Sequence, residues 1–428
     1  MLDYTNLQKE IIVNTNYDNE IVKKKILQDV QIKKFCAYGF LKNLKFFEPY
    51  LIIFLMSKGL NLFEIGILIS IREVIVNLFE IPSGIIADYF GRKKELYLCF
   101  GFYIVSFGIF FMTNGFMMAM FAMMFFGLGE AFRSGTHKAM IYTYLDSKNW
   151  ESEKTFVYGR TRSFSLIGSA ISSVMGVVLI LVVPDERYIF LFSIVPYILD
   201  LLLIISYPKF LDKADKSKNS SFKDIIYSFI KGLKGNYKLR RILVEEGMSE
   251  ATFAFMKDLI GPIMEVIIVG SGVFVIAGLS MEDNLKIILG LVYAIFNLFG
   301  SYFSKRAYLI KGDRKSITCL YYFHIGIAVA CLLLSLSMRQ YVLVIVIYVA
   351  LYILHSIRKP MFMDEVDNHI EKSSRATTIS ISSQIKSVFL MVFAPVLGFV
   401  ADTIGVRSVM IILCVIFVVT IPLLKFKD

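Results

Sequence analysis

One tryptophan, four histidines and five cysteines in 428 residues remove several readings at once. Cys36, Cys99, Cys319, Cys331 and Cys414 fall in or beside apolar runs without close pairing, which supplies neither a disulfide framework nor a metal knuckle. The histidines are scattered at 137, 324, 355 and 369 and no H-E-x-x-H occurs, so no metal site is expected and a metalloenzyme is poorly supported. No G-x-x-x-x-G-K-[ST] phosphate loop is present, which argues against ATP-driven transport by this chain alone, and no cofactor is expected. The N-terminus lacks the charged, apolar and cleavage-site order of a signal peptide, so the first apolar run, beginning near Phe35, is expected to direct insertion. With a single tryptophan, an aromatic belt at the membrane surface would rely on tyrosine.

What is abundant is apolar. Hydrophobic residues make up 56% of the chain, with 38 Phe and 19 Met, and the mean hydropathy is +0.65. Soluble domains hold about 45–50% apolar residues, so the lipid bilayer is the expected surrounding. The net charge of +11 raises nucleic acid as a partner, but the Lys and Arg lie in gaps between apolar runs, where they hold loops on the cytoplasmic side. No nucleic-acid partner is expected.

Apolar runs stand near 36–57, 62–83, 95–113, 116–142, 158–182, 188–207, 242–269, 285–304, 317–337, 341–362, 377–401 and 408–424. Most approach the roughly 20 residues a spanning helix needs. The seventh is interrupted by Glu245, Glu246, Glu250, Lys257, Asp258 and Glu265, and Gly261-Pro262 is expected to break it. Basic residues gather after the second, fourth, eighth and tenth runs and in a linker between the sixth and seventh, whereas the intervening loops carry few, such as Lys58, Arg187, Arg339 and Arg407. Both termini are therefore expected in the cytoplasm. The divisions are a cytoplasmic segment 1–34, read either as a short basic amphipathic helix at Ile21–Val30 or as a solvated tail, a first bundle 35–207, a basic linker 208–241 and a second bundle 242–428. Two echoes support related halves. His137 to Ile141 with Asp146 resembles Arg358 to Phe362 with Asp367, and Gly84 to Gly91 resembles Gly398 to Gly405.

The stretch Pro82-Ser83-Gly84-Ile85-Ile86-Ala87-Asp88-Tyr89-Phe90-Gly91-Arg92-Lys93-Lys94 is a polar, glycine-punctuated hinge between two apolar runs. Gly84 is expected to allow close helix approach, Pro82 to limit how the preceding helix ends, and Gly91 to permit the turn. This G-x-x-x-D-x-x-G-R-K pattern resembles the signature of the loop between helices 2 and 3 in the major facilitator superfamily of secondary transporters. The resemblance implies an all-α polytopic membrane protein of about twelve helices in two six-helix bundles. It also implies that Gly84, Asp88, Gly91 and Arg92 gate the rocking of the halves through a cytoplasmic charge network rather than binding substrate. The loop near Gly300 departs from the pattern, with Ser304 where the aspartate should be, so a symmetric second latch is not expected. The 168–176 region lacks the glycine-proline pattern of the family's drug/proton antiporters, which weakens drug efflux.

Charges inside the bilayer cost roughly 2.5–3.5 kcal/mol each on insertion scales, so they should face water or partners. Glu130, Arg133 and His137 form one stripe at helical spacing, with Glu130 roughly 20 Å from Phe116. His355 and Arg358 mirror it in the tenth run. The first run offers Lys42, Lys45 and Glu48 before Pro49, the second offers Arg72 and Glu73, and the seventh offers Glu250 and Lys257. The resemblance implies a central cavity lined by helices 1, 4, 7 and 10. Glu48 and Glu130 are the expected coupling carboxylates, Arg133 and Arg358 their partners or anion ligands, and His137 and His355 relays. A static Glu130–Arg133 pair is the competing structural reading. Lys42 and Lys45 are expected to snorkel to the inner interface, His324 to be packed and His369 to lie in a loop.

These features lead to a non-enzymatic, monomeric, alternating-access transporter of a small polar or amphiphilic solute in a bacterial plasma (inner) membrane, with proton-coupled export as the expected cycle. Proton-coupled uptake or uniport of a nutrient is the alternative, followed by a polytopic membrane enzyme or a channel.

Overall fold

The computed structural model describes residues 21–133, 136–212, 237–271, 278–306, 316–337, 340–369 and 375–423. The linker lysines between 213 and 236, together with Lys311, Arg314, Lys315 and Lys372, lie outside the described residues. So do the side chains of Asp88, Ser304, His324, Asp367, His369 and Arg375.

Among the described residues the chain is helical and contains no strand. The helices are α1 Val30–Leu41, α2 Leu51–Ser57, α3 Leu62–Phe90, α4 Arg92–Met112, α5 Phe116–Arg133, α6 Thr136–Ser147 and α7 Lys154–Val182. They continue with α8 Tyr188–Ile205, α9 Tyr237–Ser271, α10 Met281–Arg306, α11 Ser316–Ser337, α12 Tyr341–His369, α13 Arg375–Ile404 and α14 Val406–Leu423. Among the described residues seven helices or helix pairs are long and apolar enough to cross a membrane. Among those that fall short, α3 and α9 carry the charges used below. Exposed side chains such as Val178, Leu202, Leu298 and Val346 form the lipid-facing surface.

Residues 21–28 form the expected N-terminal helix, with Ile26 fully buried and Lys24 and Lys25 exposed. Asp29 then caps α1 by accepting from the amides of Gln31 and Ile32.

Three helix boundaries differ from expectation. The first run is not one helix, because residues 42–50 are turns between α1 and α2. Lys42, Asn43, Lys45, Glu48 and Pro49 crowd this stretch, where Pro49 supplies no amide hydrogen and the polar side chains find partners elsewhere. The seventh run is the reverse case: α9 passes through Gly261-Pro262 unbroken and begins at Tyr237, five residues inside the expected linker. Helix α3 likewise carries Pro82 within it and ends only at Phe90.

The helices form two sets that repeat one neighbour pattern. In the first set α3 packs on α5, α4 on α5 and α8, and α1 on α7. In the second, α10 packs on α12, α11 on α12 and α14, and α9 on α13. Each pair of the second set corresponds to a pair of the first displaced by six spans, as expected of a duplicated bundle. The sets meet chiefly through α3 against α13 and α7 against α10, two contacts that exchange under the same displacement. Gly168 lets α7 approach α1 closely, since a Cβ there would stand 2.5 Å from the Phe40 carbonyl oxygen.

Candidate functional site

The unwound stretch 42–50 places its polar groups against four helices. The Lys42 carbonyl accepts from the Tyr197 hydroxyl at 3.1 Å, and the Asn43 amide donates back to the Gly39 carbonyl at 2.6 Å. Lys45 does not snorkel outward: its Nζ lies 3.5 Å from Glu130 Oε1 and 5.2 Å from the centre of the Phe126 ring. Glu130 is fully engaged, accepting from the Tyr103 hydroxyl at 2.6 Å on Oε1 and from Arg133 Nη2 at 2.5 Å on Oε2. Lys45 and Tyr103 are partners that the spacing of Glu130 and Arg133 alone does not reveal.

His137 stacks on Tyr38, with ring centres 3.5 Å apart, and its Nε2 lies 3.1 Å from the Tyr207 hydroxyl. Tyr38 and Tyr207 thus hold His137, expected as a relay, at the wall of the cavity described below.

Glu48 crosses between the two helix sets. Its Oε1 meets Lys257 Nζ at 2.5 Å, and the Lys257 carbonyl accepts from the Tyr293 hydroxyl at 3.0 Å. A second crossing lies deeper along α3. Glu73 Oε1 pairs with Arg72 at 2.8 Å, while Glu73 Oε2 accepts from the Ser387 hydroxyl of α13 at 2.6 Å.

Arg358 is buried and bridges Glu246 and Glu250, the latter at 2.9 Å. His355 stacks on Phe253 with its Nδ1 3.8 Å from Glu250. The second set thus places His355 against a ring of α9 as the first places His137 against a ring of α1. Glu246 completes a cluster in which Arg358 is held by carboxylates of the protein itself, the partner role among the two expected of it.

One end of the molecule is closed. Asp402, at the end of α13, accepts from the amides of Leu62 at 3.1 Å and Phe63 at 2.7 Å, capping the start of α3 together with the Asn61–Glu64 capping box. Across the other contact, Lys286 of α10 pairs with Glu186 at 2.7 Å and Glu282 at 2.8 Å, and its carbonyl accepts from the Tyr50 hydroxyl at 3.2 Å. Ile53 of α2 lies against Gly261 of α9. In the adjoining loop, burial raises the Asp185 pKa, but hydrogen bonds from the Arg187 amide and side chain and the charge of Lys58, 3.6 Å away, outweigh it and hold the carboxyl below its usual range.

The opposite end carries the glycine-punctuated loop. Gly91 has φ +103°, and a Cβ there would lie 2.6 Å from Asp212 Oδ1. That carboxylate accepts from the Lys93 amide at 2.7 Å, while Lys93 Nζ donates to the carbonyls of Ile205 and Tyr207 at the end of α8. Arg92 donates to the Thr143 hydroxyl at 2.8 Å, so the basic residues do tie neighbouring helix ends. Gly84 is exposed, and a Cβ there would meet nothing within 4 Å, so its close approach is not realised in this conformation.

Toward this end a cavity of about 360 Å³ opens among α1, α5, α6 and α7, lined in part by Tyr38, Lys42, Arg133, His137, Lys138 and Arg162. A smaller space of about 60 Å³ adjoins it around Lys45, Tyr103 and Tyr197 and shares Lys42, Asn43 and Arg133 with it. Among the described residues no cluster of His, Cys, Asp or Glu is arranged to hold a metal ion.

Residues 35–389 match the model of the Major Facilitator Superfamily. A Bacillus subtilis (strain 168) relative described as the uncharacterized MFS-type transporter YxaM is 25% identical over 126 residues, 29% of this chain. That match spans 32% of the relative's own length. The crystal structure of the nucleoside transporter NupG superposes with a TM-score of 0.75 at 11% identity, covering 93% of this chain and 100% of that one. A POT family transporter in complex with a thioalcohol conjugated peptide gives 0.70 at 12% identity, covering 92% and 97%. Likeness at these identities concerns the fold.

Proposed function

Since this chain belongs to the Major Facilitator Superfamily and is a secondary transporter embedded in a membrane, we propose that it moves a small polar solute by alternating access, and that the conformation described is open toward the Gly91 loop. The carrying observation is the Glu48–Lys257 pair at 2.5 Å, which joins the two helix sets through the unwound segment. Such broken helices place substrate and coupling groups at mid-membrane in transporters. Above it, the contacts of Asp402 and of Glu186 with Lys286 close one face. Below it lies the cavity.

The excess of Lys and Arg beside the Gly91 loop supports placing the open face and both termini in the cytoplasm, and the membrane of this reading is a bacterial plasma membrane. The working cycle is proton-coupled export by a monomer, with bundles 35–207 and 242–428 as the moving bodies. Protonation of Glu48 removes its charge from Lys257 and frees the closed face to open. This singles out Glu48 over Glu130, whose three partners all belong to one helix set.

The test is substrate-induced proton movement in proteoliposomes, read with a pH-sensitive dye, with Glu48→Gln and Glu130→Gln as controls. Loss of the signal in Glu48→Gln with retention in Glu130→Gln is expected. Solute flux without proton movement would instead assign uniport or another coupling ion.

A further inference from the structure

We propose that the cavity is an anion site, taking a small solute that carries carboxylate or phosphate groups through Lys42, Arg133, Lys138 and Arg162. This deepens the transport reading and rests on it.

The first argument is depth. At 1.5 Å per helical residue, Lys42 stands about 18 Å from the start of α1 and Arg162 about 12 Å from the start of α7, and Arg133 ends α5, 17 residues after Phe116. These cations are therefore well inside the end of the bundle, and all are half-buried. A charge at such depth must find water or an opposite charge.

The second argument is charge balance. Among the described residues no Asp or Glu lines the cavity. Among the described ion pairs none involves Lys42, Lys138 or Arg162, whose side chains instead adjoin rings and hydroxyls: Lys42 lies 5.6 Å from the Tyr38 ring centre and Lys138 5.1 Å from that of Tyr158. Arg133 shares Glu130 with Lys45. Among the described residues lining this cavity and the smaller space beside it, Lys42, Lys45, Arg133, Lys138 and Arg162 stand without an Asp or Glu in the lining, and Glu130 pairs with two of them, Lys45 and Arg133.

The third argument is the make-up of the wall. Tyr38 lines the cavity with its ring stacked on His137, while its buried hydroxyl has no hydrogen-bond partner among the described residues. Thr161, Ser165 and Ser169 share the wall with Arg162, recurring at helical spacing on α7. At about 360 Å³ the space is at the small-ligand end of the usual range of roughly 300–1,000 Å³. The Thr161 and Ser165 hydroxyls already donate to the carbonyls of Tyr158 and Thr161, which leaves the ammonium and guanidinium groups of the wall as the donors that carboxylate and phosphate oxygens accept from.

The same chemistry is offered by a free solute and by an anionic lipid headgroup, so the experiment needs two arms. The full-length protein, purified in neutral detergent, is titrated at constant ionic strength with citrate and with inorganic phosphate while its unfolding midpoint is followed. Sorbitol and choline serve as neutral and cationic probes. Citrate or phosphate is expected to raise the midpoint saturably and the other two to leave it unmoved. Lys42→Gln and Arg162→Gln are each expected to weaken the apparent affinity by about tenfold, with Arg162→Lys restoring part of it. Because a variant can lose stability, each is compared with its own midpoint without probe, and Lys138→Gln provides an independent position.

In the second arm the protein is reconstituted in phosphatidylcholine with or without phosphatidylglycerol. Citrate protection that is equal in both supports the solute site. Phosphatidylglycerol that abolishes citrate protection assigns a lipid headgroup and overturns the solute proposal. No protection by either anion, or equal protection by choline, also overturns it. The transport reading fails separately, if solvent access to the closed face never changes while anion binding persists.

Discussion

Removing Glu48 tests the closed state at its centre. The Glu48 and Lys257 side chains are 38% and 27% exposed and meet at 2.5 Å. This places the pair between a surface ion pair, worth up to about 1 kcal/mol, and a fully buried one, where loss of one partner costs about 3–5 kcal/mol. About 1–2 kcal/mol is the expected loss in Glu48→Gln, which retains shape and leaves the Lys257 ammonium without its carboxylate. If the pair exists only with this face closed, the whole loss falls on the closed state and shifts the open-to-closed ratio about 5- to 30-fold. The assay is the rate at which a membrane-impermeant maleimide labels a cysteine introduced at Tyr50, behind the closed face, in wild type, Glu48→Gln, Lys257→Gln and the double variant. Each single variant should label faster, and the double variant should resemble either single one, since the second substitution removes nothing further. Fully additive effects would refute the pair as the closing element.

Asp402→Asn removes a charge that accepts from two amides at the start of α3; labelling behind the same face should rise about 2- to 5-fold, following the roughly 0.5–1 kcal/mol of a helix-terminal charge, and because Asp402 is exposed the difference from wild type should shrink at high salt. Gly168→Ala places a methyl group 2.5 Å from a backbone oxygen that cannot swing away, and should lower stability by about 1–3 kcal/mol in a thermal-unfolding measurement. The depressed Asp185 pKa means the folded state holds this carboxyl ionised more readily than the unfolded chain does. Its contribution is therefore present above the unfolded value of about 3.9 and fades as pH falls through the folded value; the unfolding midpoint of wild type should drop more steeply below about pH 4 than that of Asp185→Asn. Asp88→Asn should slow transport with little loss of solute binding, and unchanged flux would count against its gating role.

The spans were legible because lipid demands long apolar helices whose backbone groups are satisfied internally. The break at 42–50 left a trace as well, since Lys42, Asn43, Lys45, Glu48 and Pro49 fall within eight residues. Flanking apolar residues concealed it. Pro262 misled in the opposite direction, because α9 continues through it inside a packed bundle. Which charges meet was far less legible. Glu48 and Lys257 are 209 residues apart in sequence, and Arg358 lies 108 from Glu250. Helical spacing located each stripe and paired Glu130 with Arg133, but it carries no information about the register between helices distant in the chain.

The echo between Gly84–Gly91 and Gly398–Gly405 was legible in sequence, and the structure gives it a physical content. Both segments end a helix on a glycine in the left-handed region, Gly91 at φ +103° and Gly405 at φ +91°, and each has an aspartate three residues earlier. Helices α3 and α13 are packed neighbours, and Asp402 at the end of α13 reaches the start of α3, so the two run antiparallel. The end of α3, which carries Asp88, is then on the same side of the molecule as the start of α13. Closing the Gly91 face while opening the other would exchange one carboxylate-to-helix contact for its counterpart. Two conformations held by the same kind of contact differ little in free energy, the condition under which binding of a solute or proton can tip the balance. This is why Asp88→Asn is expected to slow the cycle rather than abolish binding: it weakens the opposite closed state and leaves the cavity residues untouched.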